Sequence, residues 1–180
     1  MRLGDNKLGY GILSILNHWV IGIAIVCLIF FGIMSSGMEN GPDRLRIITL
    51  HKATGVLVLM LAIWRIIWRL RQGFPAPSPD HPAWQNRAAL WMHWFLMVAI
   101  IAMPLSGIFW TLTAGRPISI FGLFEIAAMA EIPSLSDALQ SFHRILSKFL
   151  IAGIIIHSLV GIYHSATDFG KSGGRMFVPK

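Results

Sequence analysis

Residues 8–38 read LGYGILSILNHWVIGIAIVCLIFFGIMSSGM, and no charged side chain stands between Lys7 and Glu39. About 20 apolar residues suffice to cross a bilayer as a helix, so this stretch spans one. It is too long for a signal-peptide core and lacks a small-residue cleavage site, which marks it as a retained span. Arg87 to Arg116 bound a second charge-free gap, and Phe149 to Thr167 form a third. A fourth apolar stretch, Ile47 to Leu70, includes Lys52, Arg65 and Arg69, whose charges are expected to snorkel to the headgroups.

The chain of 180 residues is 55% hydrophobic and 13% charged, whereas a soluble domain carries about 25% charge. It therefore reads as an all-α integral membrane four-helix bundle, one transmembrane domain over residues 1–180 with spans near 12–35, 47–70, 88–113 and 145–167. The formal charge of +7 would raise nucleic acid as a partner in a soluble protein, but here the charges flank the spans and the partner is the lipid bilayer. Arg2, Lys7, Arg65, Arg69, Arg71, Arg87, Lys171, Arg175 and Lys180 lie on the side of the termini, against Arg44, Arg46, Lys52, Arg116, Arg144 and Lys148 opposite. The excess places both termini in the cytoplasm, as expected for a multi-pass bacterial inner-membrane protein.

The cytoplasmic link 72–86 contains Pro75, Pro77, Pro79 and Pro82 and reads as an extended strap. The outer loop 36–41 is short, while 114–134 holds an apolar patch from Ile118 to Met129, expected at the membrane interface. Pro42 with Asp43 suits a helix start, and Ser134 with Asp137 has capping-box spacing. The single cysteine, Cys27, allows neither an intramolecular disulfide nor a covalent haem attachment.

Each histidine at bilayer depth needs a partner, and the seven histidines sort by depth. His18, about two turns into the first span, matches His157 in the fourth; His51 and His143 match near the outer side. His143 and His157 are fourteen residues apart, which places them about 40° apart around one helix and about 21 Å apart along it. One helix thus offers a ligand to each of two stacked sites. Two imidazoles on opposite sides of a flat macrocycle suit haem b, with the four histidines as axial ligands to haem iron. Zinc is the rival, but a structural zinc site gathers four ligands.

Gly22, Gly55 and Gly161 each follow one of these histidines by four residues, on the same helix face. Glycine there leaves room for a porphyrin edge; close helix contact is the alternative reason for a small residue. His93 and His164 remain near the cytoplasmic surface, where they suit proton delivery or hydrogen bonding to a quinone, or simply headgroup contact. His81 lies in the strap and is expected to be solvated. Arg44, Arg46, Lys52, Arg116, Arg144 and Lys148 surround the outer level, where they would hold propionates or steer a small anion. Glu39, Asp43, Glu125, Glu131 and Asp137 dilute that field.

Asn17-His18-Trp19 in the first span, His51 in the second, Arg65 to Leu70 closing it, Met103-Pro104-Leu105-Ser106-Gly107 in the third, and His143 with His157 in the fourth resemble the bacterial cytochrome b561 family along nearly the full chain. The resemblance implies two haem b groups, an inner one on His18 and His157 and an outer one on His51 and His143. It further implies an iron-dependent oxidoreductase in electron transport: a superoxide oxidase that takes electrons from superoxide at the outer face and passes them to ubiquinone, with His93 and His164 near the quinone. The strap departs from some relatives in having no lysine there. The alternative is a di-haem relay subunit between quinone and a separate redox protein partner, which the outer apolar patch would dock.

Overall fold

A computed structural model of the chain describes residues 3–6, 9–74, 76–77, 81–167 and 176–177. Four helices, α1 (Ile12–Ser36), α2 (Pro42–Gln72), α3 (Ala83–Thr113) and α4 (Pro133–Thr167), account for nearly all of it. All four are long and apolar enough to cross a membrane. At 1.5 Å per residue, the 35 residues of α4 extend about 52 Å, well beyond a hydrocarbon core of about 30 Å, so its ends stand outside the bilayer.

The helix boundaries follow local chemistry. α2 has Pro42 and Asp43 in its first turn and Arg69 and Arg71 in its last, the arrangement the helix dipole favours. It stops at Gly73, whose φ of 70° opposes any further turn. α4 differs from the capping-box expectation. Pro133 occupies its first turn and the Ser136 amide already donates to the Ile132 carbonyl, so Ser134 lies inside the helix because proline, which needs no amide partner, begins it.

The outer loop also departs from an all-helical reading. Strands β1 (Ile118–Ile120) and β2 (Phe124–Ile126) form an antiparallel hairpin with Ile120 opposite Phe124. Its turn has positive φ at Phe121 (51°) and Gly122 (74°), the sign pattern of turns that match strand twist. Ile118 and Ile120 are buried with Ala53 of α2 and Leu112 of α3, while Phe121, Leu123 and Phe124 at the tip are exposed. Half of the apolar patch is therefore packing against the protein.

α1 packs on α2, α2 on α3 and α3 on α4, but α4 makes no comparably extensive backbone approach to α1 or α2. Ile21, Ile25, Val58, Ala62, Ala99, Ile100 and Leu150 form the central core. Gly153 lets α4 lie against α3: a Cβ there would stand 2.6 Å from a carbon of the Phe95 ring.

Arg69 and Arg65 do not snorkel. Arg69 is buried and donates from Nη1 to Asp5 Oδ2 at 2.9 Å and to the Gly73 carbonyl at 2.6 Å. Asp5 also accepts from the Gly11 amide and the Ser14 hydroxyl, and Trp68 donates to Ser14. The guanidinium lies over the Tyr10 and Phe74 rings. An anion within the same protein end satisfies the arginine better than distant headgroups, and it draws the N-terminal segment under α1 and α2. Trp19 donates to the Met176 carbonyl, so both described terminal segments lie at one end of the bundle. Arg2, Lys7, Lys171, Arg175 and Lys180, counted in the charge asymmetry, and Pro75 and Pro79 of the strap lie outside the described residues.

Removing one member of a buried ion pair leaves the other charge without compensation, at a cost of about 3–5 kcal/mol. Asp5→Ala should accordingly lower the thermal unfolding midpoint in detergent by several degrees, and an unchanged midpoint would show that Arg69 finds equal support elsewhere.

Candidate functional site

The helix arrangement brings the histidines together in two groups at opposite levels. His18 of α1 and His157 of α4 have ring centres 6.0 Å apart with ring planes at 68°. His51 of α2 and His143 of α4 have ring centres 6.5 Å apart at 73°. Both pairs bridge α4 to the helices it stands away from. Leu150 lies between His143 and His157 in sequence and belongs to the central core, so apolar packing separates the two levels.

At the inner level, Arg65 Nη2 lies 3.3 Å from His18 Nδ1. Guanidinium donates only, so Nδ1 accepts and the ring proton sits on Nε2; ligation of a metal through Nε2 requires Arg65 to release this contact. His93 of α3 is also here, its ring centre 6.0 Å from that of His157 and stacked at 11° on Phe74. His164 is elsewhere, stacked on His81 with ring centres 4.6 Å apart. His81 is therefore not simply solvated: it lies against the end of α4.

At the outer level, His143 Nδ1 lies 2.9 Å from Ser106 Oγ and 3.1 Å from the Met103 carbonyl. His51 Nδ1 is buried and meets no hydrogen-bond partner of good geometry among the described residues, while the Leu28 backbone lies within electrostatic reach of the ring. Gly32 of α1 admits that ring, since a Cβ there would already touch His51 Cε1 at 3.4 Å. The surrounding cations divide. Arg44 ties α1 to α2 by donating to the Ser35 carbonyl and Asn40 Oδ1, and Arg46 meets Asp43 at 3.6 Å with both side chains 80% exposed. Lys52 lies within electrostatic reach of Arg116, and Arg116, Arg144 and Lys148 are exposed.

The residues fit a flat macrocycle held from both sides. Metal–imidazole bonds of about 2 Å on each side of one iron put the ring centres roughly 6 Å apart, close to the spacing of both pairs. Among the described residues nothing outside their own helix backbone lies within 4 Å of where a Cβ would stand on Gly22, Gly55 or Gly161, so close helix contact does not account for them, unlike Gly107 and Gly153. Among the described residues no three His, Cys, Asp or Glu side chains converge as a metal-ion cluster, which leaves the zinc alternative without a ligand set. Arg65, Ser106, the Met103 carbonyl, Gly32 and Gly107 escape a reading of histidine depths. The signal for Met103, Ser106 and Gly107 was the string Met103 to Gly107 in the third span.

Residues 9–177 match the family described as prokaryotic cytochrome b561. Similar proteins include cytochrome b561 homolog 2 of Escherichia coli K12, 25% identical over 93% of this chain and 90% of the relative. Cytochrome b561 homolog 1 of the same organism is 28% identical over 82% and 84%. A probable superoxide oxidase CybB of Yersinia pestis is 26% identical over 86% and 88%.

If the space beside the glycines belongs to a ligand, filling it should displace the ligand without disturbing the protein. Gly22→Leu and Gly161→Leu are each expected to accumulate normally in the membrane and to lose bound haem of the inner level, measured as pyridine haemochromogen per chain. Full haem content in both would assign that space to lipid.

Proposed function

The chain belongs to the prokaryotic cytochrome b561 family, membrane proteins that transfer electrons with b-type haem, and from that premise we propose that it is a di-haem superoxide:ubiquinone oxidoreductase. The observation that carries the reading is the presence of two imidazole pairs, each with one member on α4 and each at the spacing of a shared iron. His18 and His157 hold the inner haem b and His51 and His143 the outer one. When bound, haem with two imidazole ligands supplies one-electron chemistry between ferric and ferrous iron.

The overall conversion balances as two superoxide ions and two protons with one ubiquinone, giving two dioxygen molecules and one ubiquinol. The chain's own residues bind and orient. Lys52, beside His51, and Arg116 and Arg144 make the outer mouth positive and draw in the superoxide anion. His93, against His157 and Phe74, borders the inner level where a quinone oxygen would take up a proton; His164 stands with His81 at the end of α4 and serves the approach to that site. We read the lysine and arginine excess as orienting the termini to the cytoplasm of a bundle in the inner membrane, so that superoxide is met on the outer side.

A pulse of superoxide onto the oxidised, detergent-purified protein should reduce haem rapidly, and added ubiquinone should reoxidise it. Lys52→Gln combined with Arg116→Gln should slow the reduction and weaken its decline with salt, as expected for loss of steering. The exposed hairpin tip, Phe121, Leu123 and Phe124, favours a second reading, a relay subunit docked by a redox protein. Haems that dithionite reduces and superoxide does not would select that reading.

A further inference from the structure

The run Met103-Pro104-Leu105-Ser106-Gly107 contributes no ligand, yet three of its residues close on one ring. His143 Nδ1 is within hydrogen-bond distance of both Ser106 Oγ and the Met103 carbonyl, and Ser106 donates its own hydroxyl proton to that carbonyl at 2.7 Å. A carbonyl has no proton to give, and the hydroxyl's single proton is already committed. The proton between these groups therefore belongs to His143 and sits on Nδ1, which leaves the lone pair on Nε2. Ser106 is 4% exposed, so water does not compete for the bond.

Gly107 completes the seat. A Cβ at that position would stand 3.1 Å from His143 Cε1 and 3.4 Å from Nδ1, so a larger residue would press on the ring. The other pair members with described contacts lack such a seat: His18 Nδ1 faces a donor, Arg65, and His51 Nδ1 has no partner.

We infer that Met103, Ser106 and Gly107 form a positioning element that locks His143 in its Nδ1–H form, aims Nε2 at the outer iron and sets that haem's potential. The inference rests on His143 being a haem ligand. A ligating imidazole whose other nitrogen donates to an acceptor becomes the more basic ligand, and a more basic ligand stabilises ferric over ferrous iron. The lock therefore lowers the potential of the outer haem. The proton stays on Nδ1 throughout, and only one electron is exchanged.

Spectroelectrochemical titration of the haem-loaded protein tests this independently of superoxide and quinone. Ser106→Ala should retain two haems per chain and raise the potential of one, by up to about tenfold in its reduction equilibrium, or about 59 mV for a one-electron couple. The low-spin paramagnetic resonance of that haem alone should change with it. Ser106→Cys, which keeps the volume and weakens the acceptor, should move the same haem in the same direction by less, and it serves should the alanine variant fail to assemble. Unchanged potentials and resonances in both variants, or a shift to lower potential, would overturn the lock if His143→Ala removes one haem. Should His143→Ala keep both haems, the ligand assignment fails, and the lock with it.

Discussion

An imidazole inside a bilayer has no water for its nitrogens, so each buried ring must be bonded to the protein or to a ligand. The helix packing serves that requirement. α4 closes on α3, with Gly153 against Phe95, and does not close in the same way on α1 or α2; the two histidine pairs bridge the separation. A bundle that packed all four helices tightly would bury more apolar surface and leave no room for a flat group between them.

The two levels satisfy their rings differently. At the outer level α3 supplies acceptors, Ser106 and the Met103 carbonyl, and a glycine that lets the ring approach. At the inner level α2 supplies a cation, Arg65, which competes for His18 Nδ1. Ligands with contrasting partners differ in basicity, so two haems held at these levels would not need to share one potential. The end of the bundle beyond the inner level is closed by the Asp5–Arg69 pair, and the Arg69 guanidinium also lies over the Phe74 ring that stacks on His93. The packing there links the N-terminal segment to the edge of the inner site.

The helical membrane architecture was legible because charge gaps and chain length report directly on bilayer crossing, and the facing of His18 with His157 and of His51 with His143 followed from depth alone. Depth says nothing about the direction of a polar side chain near a helix end. Arg65 and Arg69 were expected at the headgroups and turn inward, Arg69 because Asp5, far away in sequence, folds beneath it and Arg65 because it meets His18 Nδ1. The hairpin at 118–126 was read only as an apolar patch, since three-residue strands leave too short a period to separate from a loop. Ser106 was hidden for another reason: a serine in a membrane helix usually bonds its own backbone, and its second bond depends on where α4 places His143.

The central claim is that each of the two histidine pairs holds one b haem through both imidazoles. Haem content per chain, measured with the electron paramagnetic resonance of the oxidised purified protein, tests it most directly. Two haems per chain, both six-coordinate and low-spin, are predicted. A single haem, or a high-spin signal from a ligand-deficient iron in intact protein, would contradict it.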